Sequence, residues 1–153
     1  MCGIIGYVGS DEVVPVLLDG LRRLEYRGYD SAGMAVMEAD GIGILRAEGK
    51  LGNLQQRAYH EPLHGTVGVG HTRWATHGAP TEANAHPQTD ADGTIAVVHN
   101  GILENYAALR NELESAGVDL TSDTDTELIA QLLGRETGSL KERVLAVLPR
   151  LEG

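Results

Sequence analysis

The chain has 153 residues, enough for one sizeable core. Its 12 Lys plus Arg against 22 Asp plus Glu leave a net charge of −10, which argues against a nucleic-acid or anionic-membrane partner. A single cysteine excludes an internal disulfide, no apolar run reaches the length of a membrane span, and no basic region precedes an apolar one at the N-terminus, so a soluble, cytoplasmic protein is expected.

The chain opens Met1-Cys2-Gly3-Ile4-Ile5-Gly6, and Cys2 is its only cysteine. Removal of Met1 would leave Cys2 with its thiol and a free α-amine together. An α-amine has a reference pKa of about 7.7 to 8.0, so roughly a quarter of it is neutral base near pH 7.4. A nucleophile with a built-in general base is one reading; an inert, buried cysteine at the start of a strand is the other.

Gly3 to Val8 reads as a strand. Ser10-Asp11-Glu12 then supplies a helix start, and Val14, Leu17, Leu18, Leu21 and Leu24 recur at helical spacing, with Pro15 tolerated in the first turn. Arg22, Arg23 and Glu25 fall off that stripe and read as solvated surface. In Tyr26-Arg27-Gly28-Tyr29-Asp30-Ser31-Ala32-Gly33, the glycines permit positive dihedrals or close chain approach, and Arg27 and Asp30 offer opposite charges at a pocket edge; a helix stop plus a turn is the alternative. A strand through Met37, the turn Asp40-Gly41 and a strand Ile42 to Ala47 predict a hairpin, and Lys50 to Tyr59 reads as a helix.

Val67 to Gly78 reads as a strand opening into the polar loop His71-Thr72-Arg73-Trp74-Ala75-Thr76-His77-Gly78. Arg73 can grip a carboxylate bidentately, Trp74 can wall or gate a pocket, and Thr76 and His77 can add hydrogen bonds. His71 and His77 do not have the spacing of a helical metal pair and no cysteine cluster joins them, so no metal site is expected. His60, His64 and His86 lie in turn-rich segments and read as surface or structural residues.

Thr94 to His99 reads as a strand, and Asn100-Gly101 as a tight turn before a helix carrying Ile102, Leu103, Tyr106, Leu109 and Leu113. Such a turn can aim an asparagine amide and a glycine N–H at one developing oxyanion, although Asn-Gly is also a common hairpin turn. Thr124 and Glu127 have capping-box spacing ahead of a helix with Leu128, Ile129, Leu132 and Leu133. Asp125 reads either as a first-turn dipole partner or as a carboxylate for a substrate ammonium. Ser139 and Glu142 repeat the capping spacing before a last helix that Pro149 should end or kink.

Taken together, the opening hexapeptide, the run Arg23 to Gly33, His71 to Gly78, His99-Asn100-Gly101 and Thr124 to Glu127 resemble the glutaminase domain of the class II glutamine amidotransferases. The first motif is shared by every member with an N-terminal cysteine. Glu-Tyr-Arg-Gly-Tyr-Asp-Ser-Ala-Gly and His-Thr-Arg-Trp-Ala-Thr-His-Gly look like the sugar-phosphate aminotransferase branch.

The resemblance implies an α+β fold, a four-layer αββα sandwich of two mainly antiparallel sheets, the N-terminal nucleophile hydrolase architecture. It implies that residues 1–153 are the N-terminal part of a type 2 glutamine amidotransferase domain, whose remainder and two sugar-isomerase domains follow in a full-length parent expected to be a homodimer. By carry-over, Cys2 attacks the side-chain amide of L-glutamine, and Asn100 and the Gly101 N–H hold the oxyanion. Arg73 and Asp125 take the amino acid's carboxylate and ammonium, and Thr76 and His77 shape the site. Trp74 controls passage of ammonia and Arg27 orders the Cys2 loop. No cofactor is implied, and fructose-6-phosphate is a substrate of the full-length parent only. The alternatives are another N-terminal-cysteine amidotransferase, an N-terminal cysteine hydrolase of a different amide, and a catalytically silent regulatory or interaction domain.

Overall fold

A computed structural model describes residues 2–75 and 78–153. The elements follow in the order β1 (Gly3–Val8), α1 (Val13–Leu24), β2 (Ser31–Glu38), β3 (Gly41–Glu48), α2 (Leu51–His60), β4 (Val67–Arg73), β5 (Gln88–Thr89), β6 (Ala96–Val97), α3 (Tyr106–Ser115), α4 (Asp125–Arg135) and α5 (Leu140–Val147). Short 3₁₀ turns follow α1 and α5, at Glu25–Arg27 and Leu148–Arg150. The second of these contains Pro149, so the last helix ends where the sequence places its stop.

Strands β1 to β4 form one antiparallel sheet in the order β1-β4-β2-β3, and β5 and β6 form a second, two-stranded antiparallel sheet. Strand parity decides what each face of the larger sheet does. Ala32, Met34 and Val36 of β2 pack with Leu45 and Ala47 of β3 against Val13, Leu17 and Leu21 of α1 and Leu51, Leu54 and Ala58 of α2. The intervening residues Ser31, Gly33 and Ala35 point to the opposite face and are buried there as well. On that inner side lies the segment 85–87, whose Pro87 carbonyl accepts a bond from Arg46 Nε at 2.7 Å.

Beyond it, Ile95, Leu103, Leu109, Leu113, Leu128, Ile129, Leu132, Leu133 and Val147 form a second core, which joins α3, α4 and α5 beneath the β5–β6 ribbon. The layers therefore run helix, sheet, sheet, helix, as expected. A cleft of about 620 Å³ lies between the strands β1, β2 and β4, the segment Thr94–Ala96 and the head of α5.

Two local expectations are corrected. The strand read over Thr94–His99 is paired only at Ala96 and Val97, and α3 begins at Tyr106 rather than directly after Gly101. Residues 103–105 are tied elsewhere instead: the Leu103 amide donates to the Asp125 carboxylate at 3.0 Å, the Glu104 amide to the Glu152 carbonyl at 2.7 Å, and the Asn105 side chain to the Arg150 carbonyl at 2.8 Å. The capping box is complete at α5, where Ser139 and Glu142 bond reciprocally. At α4 only half of it forms: Thr124 accepts the Glu127 amide. The buried Glu127 carboxylate reaches further back and accepts from the amides and hydroxyls of Thr121 and Ser122, at 2.7 to 2.8 Å.

Candidate active site

The parity that buries β2 on both faces also builds the site. His71 of β4 lies opposite Ile4 of β1 and Gly33 of β2, so on the inner face it falls in register with Gly33, and Arg73, two residues on, points the same way. Cys2, two residues before Ile4, continues that row. At the end of the row a pocket of about 570 Å³ opens, lined by Cys2, Arg27, Arg73, Trp74, His86, His99, Asn100, Gly101, Ile102 and Asp125.

Cys2 is half-buried and its sulfur is held by the chain opposite: Trp74 N–H donates to Sγ at 3.3 Å, and the thiol faces the Trp74 carbonyl at 3.7 Å. Trp74 itself is exposed, its ring lying over Gly28. Gly28 has φ +74°, and a β-carbon there would meet that ring at 3.3 Å, so the residue satisfies a dihedral and a close approach together. Asp30 fixes the same loop. Its amide donates to the Arg73 carbonyl at 2.7 Å and its carboxylate accepts the Ala75 amide at 2.5 Å.

Arg73 is 4% exposed. Burial lowers its pKa from the ordinary arginine value, while Asp30, Cys2 and Asp125 pull it back up. Its cation thus sits among three groups of opposite or potentially opposite charge. One of its nitrogens donates to the Ala79 carbonyl at 3.4 Å. Asp125, the first residue of α4 and 4% exposed, brings a carboxylate to the same pocket. It accepts from Leu103 and stands 3.9 Å from His99 Nδ1. A guanidinium and a carboxylate lining one pocket can receive the two charged ends of an α-amino acid. Asn100 contributes a side-chain amide whose oxygen lies 2.9 Å from His71 Nε2.

The structure thus brings Cys2, Arg27, Arg73, Trp74, Asn100, Gly101 and Asp125 around one space. Thr76 and His77 lie outside the described residues. His86 does not sit at the surface: it is 5% exposed, lines the pocket and packs its ring 4.5 Å from that of His71. Sequence reading missed His71, His86 and His99 as members of the site. For His71 a signal existed, since it shares strand parity with Arg73; His86 lies in an irregular segment where no periodicity could place it. Among the described residues, no group of three or more His, Cys, Asp or Glu is disposed to hold a metal. No helix among them is long and apolar enough to cross a membrane.

An α+β sandwich with its cysteine at the head of the edge strand β1, in one pocket with an Arg–Asp pair and an Asn-Gly turn, defines an N-terminal nucleophile glutamine amidotransferase domain. Residues 50–146 match the glutamine amidotransferase domain family, and the chain belongs to it. It is 55% identical over 162 residues to glutamine–fructose-6-phosphate aminotransferase (isomerizing) of Mycobacterium tuberculosis, covering 100% of this chain and 26% of that protein. Its identity to the Thermus thermophilus enzyme of the same name is 55% over 155 residues, again with 100% and 26% covered. The chain therefore spans about a quarter of the length of these curated relatives. Among solved structures it is similar to glutamine phosphoribosylpyrophosphate amidotransferase from B. subtilis, at TM-score 0.85 and 27% identity over 100% of this chain and 33% of that one. A second structure, described as the allosteric regulatory enzyme of purine biosynthesis, superposes at TM-score 0.86 with 27% identity, covering 100% and 34%.

Proposed function

We propose that the chain performs the glutaminase half-reaction of a glutamine–fructose-6-phosphate aminotransferase. The observation that carries this reading is the pocket in which the only cysteine faces a guanidinium, a carboxylate and a side-chain amide. In this reading the α-carboxylate of L-glutamine lies on Arg73 and its α-ammonium on Asp125, which delivers the side-chain amide to Cys2.

The Cys2 thiolate adds to the amide carbon, forming a C–S bond, and the carbonyl oxygen takes up the negative charge. Asn100 and the Gly101 N–H donate to that oxyanion, a role in which one donor typically supplies about 3 to 4 kcal/mol. The α-amine freed by loss of Met1 takes the thiol proton and passes it to the nitrogen, so that C–N cleavage releases ammonia and leaves a glutamyl thioester. Water then adds, the C–S bond breaks, and glutamate departs with the thiol restored. Trp74 gates the exit of ammonia, Arg27 orders the Cys2 segment, and Thr76 and His77 shape the glutamine subsite. In a full-length, homodimeric, cytoplasmic parent the ammonia converts fructose-6-phosphate to glucosamine-6-phosphate on further domains.

The test is an intact mass spectrum before and after exposure to a glutamine-like electrophile, with peptide mapping and a glutamate-release assay. Loss of Met1, one glutamine-protectable adduct on Cys2 and release of glutamate are expected. A chain that has lost Met1 and neither alkylates at Cys2 nor releases glutamate overturns the reading.

A further inference from the structure

Asn100 faces a difficulty that its neighbours in the pocket do not share: a primary amide presents an oxygen and an NH2 of nearly the same shape, and only the NH2 can donate to an oxyanion. Some group must choose between the two orientations. The Asn100 oxygen lies 2.9 Å from His71 Nε2, and the other ring nitrogen of His71 makes no hydrogen bond of good geometry. The ring is fully buried on the inner face of β4 and packs at 34° against the ring of His86. Room for His86 comes from Gly33, which lies opposite His71 in the strand register. A β-carbon on Gly33 would collide with the His86 backbone carbonyl. Three residues from separate segments therefore fix one imidazole, whose polar contacts are the Asn100 side-chain amide and the His99 backbone.

We infer that His71 is a positioning residue of the glutaminase site: it donates from Nε2 to the Asn100 oxygen and so turns the Asn100 NH2 towards the scissile amide of the substrate. This rests on the reading of Asn100 as an oxyanion donor. Burial lowers the His71 pKa to about 4, outweighing the hydrogen bonds to Asn100 and to the His99 backbone, so near neutral pH the ring carries one proton. Two acceptors lie near the ring, the Asn100 oxygen at 2.9 Å from Nε2 and the His99 backbone; Nδ1 makes no bond of good geometry, which leaves the proton on Nε2. A neutral donor serves here better than an imidazolium, because a second positive charge beside Arg73 would be buried without a counter-ion.

The test combines a spectroscopic and a kinetic readout on the full chain. A long-range ¹H–¹⁵N spectrum at pH 7 should show His71 neutral with its proton on Nε2; a proton on Nδ1, or a doubly protonated ring, overturns the inference. His71→Leu should lower kcat for glutamine hydrolysis about 10- to 100-fold with KM within about twofold, because only a transition-state contact is misaligned. His71→Gln, whose side-chain NH2 can donate to the same oxygen, should recover part of that loss. In an Asn100→Ala background, His71→Leu should cost little more, since the residue through which it acts is gone. Multiplying losses in the double variant would mean that His71 acts otherwise, and would also overturn the inference. Wild-type protein that hydrolyses no glutamine overturns the reading of the site itself, while the tautomer still decides the His71–Asn100 link.

Discussion

Asp125 Oδ2 accepts the Leu103 amide at 3.0 Å, so the first residue of α4 fixes the chain two residues beyond Gly101. One carboxylate thus serves the backbone that carries Asn100-Gly101 and, in the proposed reaction, the ammonium of glutamine. The two duties separate on substitution. Asp125→Asn keeps an oxygen for Leu103 and loses the charge; it should raise KM for glutamine about 10- to 100-fold, the worth of a hydrogen bond to a charged group, with kcat much less affected. Asp125→Ala should in addition lower stability by about 1 to 3 kcal/mol, since a buried amide loses its acceptor. Steady-state kinetics and urea unfolding of both variants check this, and an unaltered KM in Asp125→Asn would remove the ammonium assignment.

Arg73 makes the matching prediction for the other end of the substrate. Arg73→Ala should raise KM for glutamine by about 100-fold, and Arg73→Lys should recover only part of it because an ammonium cannot offer two parallel donors to a carboxylate. Direct binding of glutamine, measured by calorimetry on a variant whose Cys2 is replaced by Ser, separates affinity from chemistry. Unchanged affinity in Arg73→Ala would exclude the carboxylate contact.

How far the sequence disclosed this arrangement depended on which physical signal each residue carried. The helices α1 and α4 were legible because their leucines recur at helical spacing, and β1 to β4 because turn residues bracket short apolar runs. For Cys2, Asn100 and Asp125 the residues alone left two readings, since an inert strand cysteine, a hairpin turn and a first-turn acid would each account for them locally; the motifs that contain them, with that of Arg73, chose the functional reading. The start of α3 was not legible, since the leucine pattern over 102–113 is helical throughout and the segment before Tyr106 is tied to distant parts of the chain, Leu103 to Asp125 and Glu104 and Asn105 to residues 150–152. His86 was hidden for a related reason. Its burial follows from Gly33, more than 50 positions earlier, leaving space for its backbone, and no local pattern reports such a vacancy.

Gly33 therefore makes a sharp prediction. A β-carbon there would press on the carbonyls of His86 and Leu45, both backbone atoms that cannot swing aside. Gly33→Ala should destabilise by about 1 to 3 kcal/mol or more, as overpacking does, and should reduce kcat by displacing the histidine that packs on His71. Gly52→Ala is the control: that glycine lies in α2 with no atom near its absent β-carbon, so the change should stabilise by up to about 1 kcal/mol through helix propensity. Denaturant midpoints of the two variants should move in opposite directions, and a neutral Gly33→Ala would show that the 85–87 segment can retreat.

The buried histidines set a pH dependence of stability with a definite sign. Burial lowers the pKa of His71 to about 4, and burial together with the nearby charges of His71, Arg73 and His99 lowers that of His86 to about 2, both from an ordinary 6.5. Between 6.5 and those values the unfolded chain binds protons that the folded chain refuses. The stability that neutral, buried rings permit is therefore complete above about pH 7 and is lost as pH falls below 6.5, in the His71 case until about pH 4 and in the His86 case further. Each ring costs about 1.4 kcal/mol per pH unit in this window, so by pH 5 the two together should remove on the order of 4 kcal/mol. Urea unfolding at intervals from pH 8 to pH 5 checks the slope, and His86→Leu, which withdraws one titrating ring, should roughly halve it. Stability that stays level down to pH 5 would mean that one or both imidazoles accept a proton in place, which would also move Asn100, since a charged His71 could no longer rest beside Arg73 and His86 without rearrangement.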